Sequence, residues 1–170
     1  MSKALTPAEL RAFADEHLAY EVEILFAAVR SRDVRLLSDD PSLLGFFHNA
    51  RVEAFVSHLR TLIGFLFPDV YRHQRNDITA RHYVDAARRQ GRWEDWRGPL
   101  SAAMRSAKDR ADKEVSHLAD RHIPGVPPAK GWAMEPLANE IREILLRFVA
   151  AADPERLGEK VAARVPKVSL

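Results

Sequence analysis

The chain has 170 residues, of which 46% are hydrophobic and 29% charged, with a formal net charge of +2. That length and balance fit one globular domain with enough apolar material for a single core. The lack of cysteine excludes disulfides and thiolate metal sites, no stretch approaches the ~18 uninterrupted apolar residues of a membrane span, and a charge this close to balance does not by itself point to nucleic acid.

Thr6-Pro7-Ala8-Glu9 reads as a helix start: Thr6 caps, Pro7 suits the first helical position and Glu9 completes a capping box. From there to residue 30, Leu10, Phe13, Ala14, Leu18, Val22, Leu25 and Val29 keep a helical period. His17 and Glu21 sit one turn apart on it. Residues 31–40 form a connector, with a short helical turn at 34–37.

Asp40-Pro41 opens a second helix by the same chemistry, and Pro68 ends it. Val52, Phe55, Val56, Leu59, Leu62, Ile63 and Leu66 give it a broad apolar face, which marks it as the central helix. Its polar residues near mid-length are Glu53, His58 and Arg60. Gly45 and Gly64 either weaken it by about 1 kcal/mol each or let another helix approach closely.

After a turn-rich stretch, residues 78–90 read as a weaker helix capped by Asp77 or Thr79 and stopped by Gly91. Residues 92–99 read as a loop that Trp93 and Trp96 anchor onto the bundle. Pro99 then starts a helix over residues 100–122, along which Met104, Ala107, Ala111, Val115 and Leu118 line one face. Beside that face runs a polar ridge of Arg110, Glu114, His117 and Arg121. Residues 123–136, rich in Pro and Gly, form a crossing loop pinned by Trp132 and Met134. A helix over 135–152 turns Leu137, Ile141, Ile144, Leu145, Phe148 and Val149 inward. Asp153-Pro154 caps a last short helix in a peripheral C-terminal segment, residues 153–170. With no alternating strand pattern and no repeat, the expected architecture is a single all-α domain. It is an up-down antiparallel bundle of four main helices plus one or two short ones.

Arg110 and His117 lie nearly two turns apart on one helix face. An arginine can hold a phosphate and a histidine can exchange protons near neutral pH, which together suit RNA cleavage without a metal. The same spacing fits a packing role, in which Arg110 pairs with Asp109 or Glu114 and His117 is a satisfied helix-packing histidine. Arg51 and His58 repeat it on the second helix. Glu114-Val115-Ser116-His117 also has the Glu-x-x-His spacing of helical metal sites, with Glu53, Glu21, His58 and His17 as further ligands. Only one such motif is present, however, and Arg110 and Arg121 flank it with positive charge.

The stretches ARVEAFVSHLRTLIGFLFP and SAKDRADKEVSHL resemble small bacterial helical proteins of the HEPN type (higher eukaryotes and prokaryotes nucleotide-binding). The resemblance implies a four- or five-helix bundle with an Arg, four to six residues, then His as its signature, here Arg110 and His117 as the catalytic pair. It implies an RNA-directed homodimer, either a metal-independent endoribonuclease of the toxin or antiphage kind or a catalytically lapsed RNA binder. Catalytic members usually carry a polar residue directly after the Arg, and Ala111 stands there. His58, Glu53 and Arg60 on the central helix, with Glu114 and Arg121, are the substrate-binding candidates. The other function in view is a helical interaction module without chemistry, working through a protein partner. Neither requires a cofactor or metal, and a cysteine-free chain without an apolar leader in MSKALTPAEL is expected in the cytoplasm.

Overall fold

The computed structural model describes residues 5–31, 40–71, 77–84, 91–114 and 131–170. Among these residues the fold is all-α, without a strand. The first long helix is built from α1 (Pro7–Phe13) and α2 (Ala19–Arg30), joined by a π-turn at Ala14–Leu18. Thr6 and Glu9 form the expected capping box at its start, with the Thr6 side chain accepting from the Glu9 N–H at 3.2 Å and the Thr6 N–H donating to Glu9 at 2.8 Å. The π-turn carries His17, and its inserted residue re-aims the side chains that follow. Nothing in the apolar spacing announces it.

The central helix α3 (Pro41–Leu66) runs antiparallel to α2: Glu21 meets His58, while the later residues Ile24, Ala27 and Ala28 face Leu44, Phe47 and Arg51. Its second half buries Phe55, Leu59, Leu62, Ile63 and Leu66 against Val22, Leu25 and Phe26. The helix ends where Phe67 leaves helical geometry before Pro68. There the Trp93 indole N–H donates to the Leu66 carbonyl at 2.6 Å, satisfying one of the last orphan acceptors of α3.

Residues 78–84 are not an α-helix. Only a 3₁₀ turn forms at Ala80–His82, and residues 85–90 lie outside the described residues. Thr79 and His82 cap each other, so Thr79 rather than Asp77 is the cap. Tertiary contacts hold the segment in this form: Tyr83 and Val84 are both buried. The Tyr83 hydroxyl donates to the Leu10 carbonyl at 2.9 Å, and its own carbonyl accepts from the Asp153 N–H at 2.8 Å. Residues 92–99 are also more regular than expected, containing the short helix α4 (Trp93–Arg97). Trp93 is the buried anchor; Trp96 remains exposed.

Helix α5 (Ala102–Glu114) covers the first part of the predicted 100–122 helix, the remainder lying outside the described residues. Its cap is Ser101, whose hydroxyl accepts from the Met104 N–H at 3.0 Å, not Pro99. Met104, Ala107 and Ala111 are buried as their spacing predicts. Helix α6 (Met134–Ala151) buries Leu137, Ile141, Ile144, Leu145 and Phe148. Phe148 lies at the centre of an aromatic cluster, with ring centroids 5.3 Å from Phe65, 5.5 Å from Trp93 and 5.8 Å from Tyr83.

The C-terminal segment is packed, not peripheral. After α7 (Pro154–Leu157), Gly158 adopts φ 68°, a turn an L side chain would strain, and α8 (Lys160–Arg164) follows. Leu157, Val161 and Val165 are buried. Arg142 donates to the Pro166 and Lys167 carbonyls at 2.6 Å each, and Asn139 accepts from the Leu170 N–H at 2.8 Å. The four main helices are therefore as expected, with three short ones beside them among the described residues.

Candidate functional site

Glu21 on α2 and His58 on α3 face each other across the helix pair, and the imidazole Nδ1 lies 2.7 Å from the Glu21 carboxylate. Both side chains are mostly buried, so this contact is shielded from water and fixes the orientation of the ring. The Tyr20 ring meets His58 edge-on at 5.6 Å. One turn before Glu21, on the π-turn, His17 packs against Phe13 with ring centroids 5.0 Å apart.

Half a turn beyond His58, Arg60 reaches α5. Its Nε donates to Asp112 at 2.5 Å, and the other oxygen of Asp112 takes the Lys108 ammonium at 2.6 Å. Lys108 is buried, held between that carboxylate and the Tyr71 ring, whose centroid lies 4.5 Å away. Burial pushes the Asp112 carboxyl up, but the hydrogen bonds and charges of Lys108 and Arg60 outweigh it and hold the group below the usual carboxylate range. The Tyr71 phenol is pushed up, first by burial and then by the nearby Asp109 charge.

Of these residues Phe13, His17, Glu21, Arg60, Tyr71 and Lys108 border a cleft of about 520 Å³ between the first long helix, α3 and α5. Arg60, Lys108, Glu21 and His17 supply its charged and titratable lining, Phe13 and Phe65 part of its apolar wall. Gly64 lies on it with open space where a Cβ would be, so this glycine widens the cleft and admits no close helix approach. Gly45 likewise has nothing near it. The Tyr71 hydroxyl is buried without a hydrogen-bond partner among the described residues.

Arg110 belongs to a different surface. Two residues past Lys108, it projects from another side of α5. Its guanidinium lies over the Trp132 ring at 4.2 Å, and its Nη1 donates to the Gly131 carbonyl at 2.8 Å. His117 and Arg121 lie outside the described residues, as does the side chain of Glu114, so neither the Arg110–His117 pairing nor the Glu-x-x-His motif acquires a geometry. Glu53 is exposed on α3 and does not line the cleft. Among the described residues no three His, Asp or Glu side chains stand close enough to share a metal ion, and no helix is long and apolar enough to cross a membrane.

The structure therefore joins Arg60 and His58 to two elements, through Asp112 and Glu21. Sequence patterning had singled out His58 and Arg60 but passed over Lys108, Asp112 and Tyr71. Lys108 and Asp112 are spaced i, i+4, a signal common on solvated helices and uninformative until Arg60 is seen to join them. Comparison with family models, curated proteins and solved structures finds no match for the chain.

Proposed function

We propose that this chain is an RNA-directed helical protein of HEPN-like character, which holds a nucleotide unit of its substrate in the cleft between α2, α3 and α5. The observation that carries this function is the imidazole of His58, oriented by Glu21 at 2.7 Å, beside a cleft lined by the cations Arg60 and Lys108. A volume of about 520 Å³ suits a nucleoside-sized group. Phe13, Phe65 and Tyr71 offer faces or edges to a base, and the Tyr71 hydroxyl has an unused hydrogen-bonding capacity among the described residues.

Arg60 and Lys108 share Asp112, so an incoming phosphate competes with that carboxylate for both cations. Binding would thus be weak and salt-dependent, as phosphate contacts are. In the catalytic form of this function, a histidine removes the 2′-hydroxyl proton, the oxygen attacks the adjacent phosphorus, a guanidinium stabilises the charge that develops, and the P–O bond to the 5′-oxygen breaks, that oxygen leaving with a proton and a 2′,3′-cyclic phosphate remaining. The resemblance assigns those roles to Arg110 and His117. The cleft offers Arg60 as a group that positions the substrate, while His58 stands behind its lining residue Glu21. Under this function the protein works in the cytoplasm as a homodimer.

RNA cleavage in EDTA at neutral pH tests the proposal. Loss of cleavage in Arg110→Ala and His117→Ala, with both variants folded, assigns catalysis to that pair. Retained RNA binding without cleavage assigns a lapsed binder. A mixed RNA pool that is neither cleaved nor retained at low salt removes the function altogether. A second function, that of a helical interaction module without chemistry, is supported by the exposed apolar first turns of α3.

A further inference from the structure

Between Ile24, Ala27 and Ala28 of α2 and Leu44, Phe47 and Ala54 of α3 opens a groove of about 540 Å³, separate from the cleft lined by Arg60 and Lys108. Alanine at three of these six positions keeps the walls short, where larger side chains would fill the space. Leu44 and Phe47 remain 41% and 48% exposed, so the groove wall leaves apolar surface in water. Such a volume, with apolar walls and a few polar groups, is that of a small-molecule site.

Among the described residues the polar side chains on the groove are Ser31, His48 and Arg51. The Ser31 hydroxyl donates to the Ala28 carbonyl at 3.0 Å, so its proton is already used. His48 is exposed. Arg51 is the permanent cation. It is half-buried, and its Nε is buried with no hydrogen-bond partner among the described residues. Arg51 also borders a smaller cavity of about 250 Å³ beside Trp132 and Met134. Glu135 lines that second cavity, whereas no Asp or Glu lines the groove among the described residues. The groove thus combines apolar walls with a guanidinium that has a buried N–H and no acceptor for it.

We infer that the groove between α2 and α3 binds an alkyl carboxylate, a free medium-chain fatty acid anion, whose chain lies along Leu44 and Phe47 and whose carboxylate meets the Arg51 guanidinium. One carboxylate balances one guanidinium, and its two oxygens match the planar fork of N–H donors. A phosphate monoester brings a charge of about two, for which the described lining supplies a single permanent cation. Leu44 and Arg51 are seven positions apart on one helix, about 10 Å along its axis, the length of about eight to ten extended carbons. A buried donor without an acceptor is unfavourable, and a ligand oxygen that reaches it as the side chain turns removes that penalty. The groove is distinct from the cleft, so the inference stands whether or not the cleft takes RNA.

Isothermal titration of the full chain with monomeric decanoate at neutral pH should give a Kd of about 0.1–1 mM, as a ligand of about a dozen heavy atoms ordinarily reaches. Decyltrimethylammonium carries the same chain with the opposite charge and should bind at least about 10-fold more weakly, a comparison that needs no variant. Arg51→Met keeps an unbranched apolar stem and should lower decanoate affinity by about 10-fold or more. Ala27→Leu, a helix-favouring change at a half-buried position, should fill the groove and abolish saturable binding. Both variants should keep the helical circular dichroism of the parent. Phosphatidylcholine vesicles, which offer alkyl chains without a free carboxylate, should not retain the protein. The inference is overturned if decanoate shows no saturable binding up to a few times that Kd, or if the two head groups bind equally. Decanoate binding that survives Ala27→Leu or is unchanged in Arg51→Met overturns it as well, and so does retention on the vesicles.

Discussion

Arg110 sits over the Trp132 ring, the guanidinium carbon 4.2 Å from its centroid, and donates a hydrogen bond to the neighbouring Gly131 carbonyl. One arginine thus joins α5 to the chain segment that enters α6. Trp132→Ala should destabilise the fold by about 1–2 kcal/mol, combining a partly buried cation–π contact with lost apolar packing. Arg110→Lys should recover less than half of the loss seen in Arg110→Ala, because an ammonium offers no plane to stack. Urea unfolding of the variants gives both values. Equal stability of Arg110→Lys and the parent would mean the stacking is incidental.

The Trp93 indole closes the C-terminal end of α3 through its bond to the Leu66 carbonyl at 2.6 Å. Trp93→Phe keeps a large aromatic against Phe148 but leaves that carbonyl without its donor. A loss of about 1–3 kcal/mol is expected from the unsatisfied acceptor and the smaller ring, read as a shift in the urea midpoint at constant slope. Phe148→Ala, at the centre of the same aromatic cluster, should cost about 3–5 kcal/mol.

Asp112 gives the stability a definite acid dependence. Its native pKa lies below the unfolded value, held there against burial by Lys108 and Arg60. A depressed carboxylate contributes its full stabilisation above the unfolded pKa near 3.9 and loses it as pH falls through the native value. The parent should therefore exceed Asp112→Asn in stability at neutral pH, with the gap narrowing only below about pH 4. Urea titrations at stepped pH test this, and a gap that widened on acidification would reverse the sign.

Gly64 offers a way to separate stability from binding. A methyl group there meets nothing within 4 Å, and the position is helical. Gly64→Ala should stabilise the chain by about 0.5–1 kcal/mol through helix propensity. It should also narrow the cleft and weaken RNA binding if the nucleotide sits there. Gly45→Ala, equally unobstructed but away from the cleft, should stabilise without that second effect.

His58→Ala should leave the Glu21 carboxylate mostly buried without its ring partner, costing about 1–3 kcal/mol. His58→Gln keeps a hydrogen-bond donor and should recover part of that stability. If His58 takes part in proton transfer as well as positioning, His58→Gln will bind RNA but lose the pH dependence of any cleavage. A cleavage profile unchanged in His58→Gln would confine the residue to structure.

The helices with strong apolar periods and Pro-preceded caps were legible from residue types alone. Thr6-Pro7, Asp40-Pro41 and Asp153-Pro154 each start a helix by local chemistry, and the buried faces of α3 and α6 follow from spacing that any neighbour would exploit. Local rules failed where distant partners decide. Residues 80–82 form only a 3₁₀ turn beside Tyr83, which is tied to Leu10 and Asp153 on other elements, and the tail after Gly158 is held by Arg142 on another helix. The π-turn at Ala14–Leu18 keeps the hydrophobic spacing nearly intact and so leaves no trace in it.

The sequence by itself determined an all-α chain, where its main helices begin, and which of their faces are apolar, because capping and amphipathic spacing act within a few residues. Only the tertiary structure decided that Glu21 meets His58, that Asp112 gathers Arg60 and Lys108, and that Arg110 meets Trp132. Those contacts span 37, 52 and 22 positions, and a side chain's charge or hydrogen-bonding capacity does not specify which distant partner the packing of helices will bring within reach.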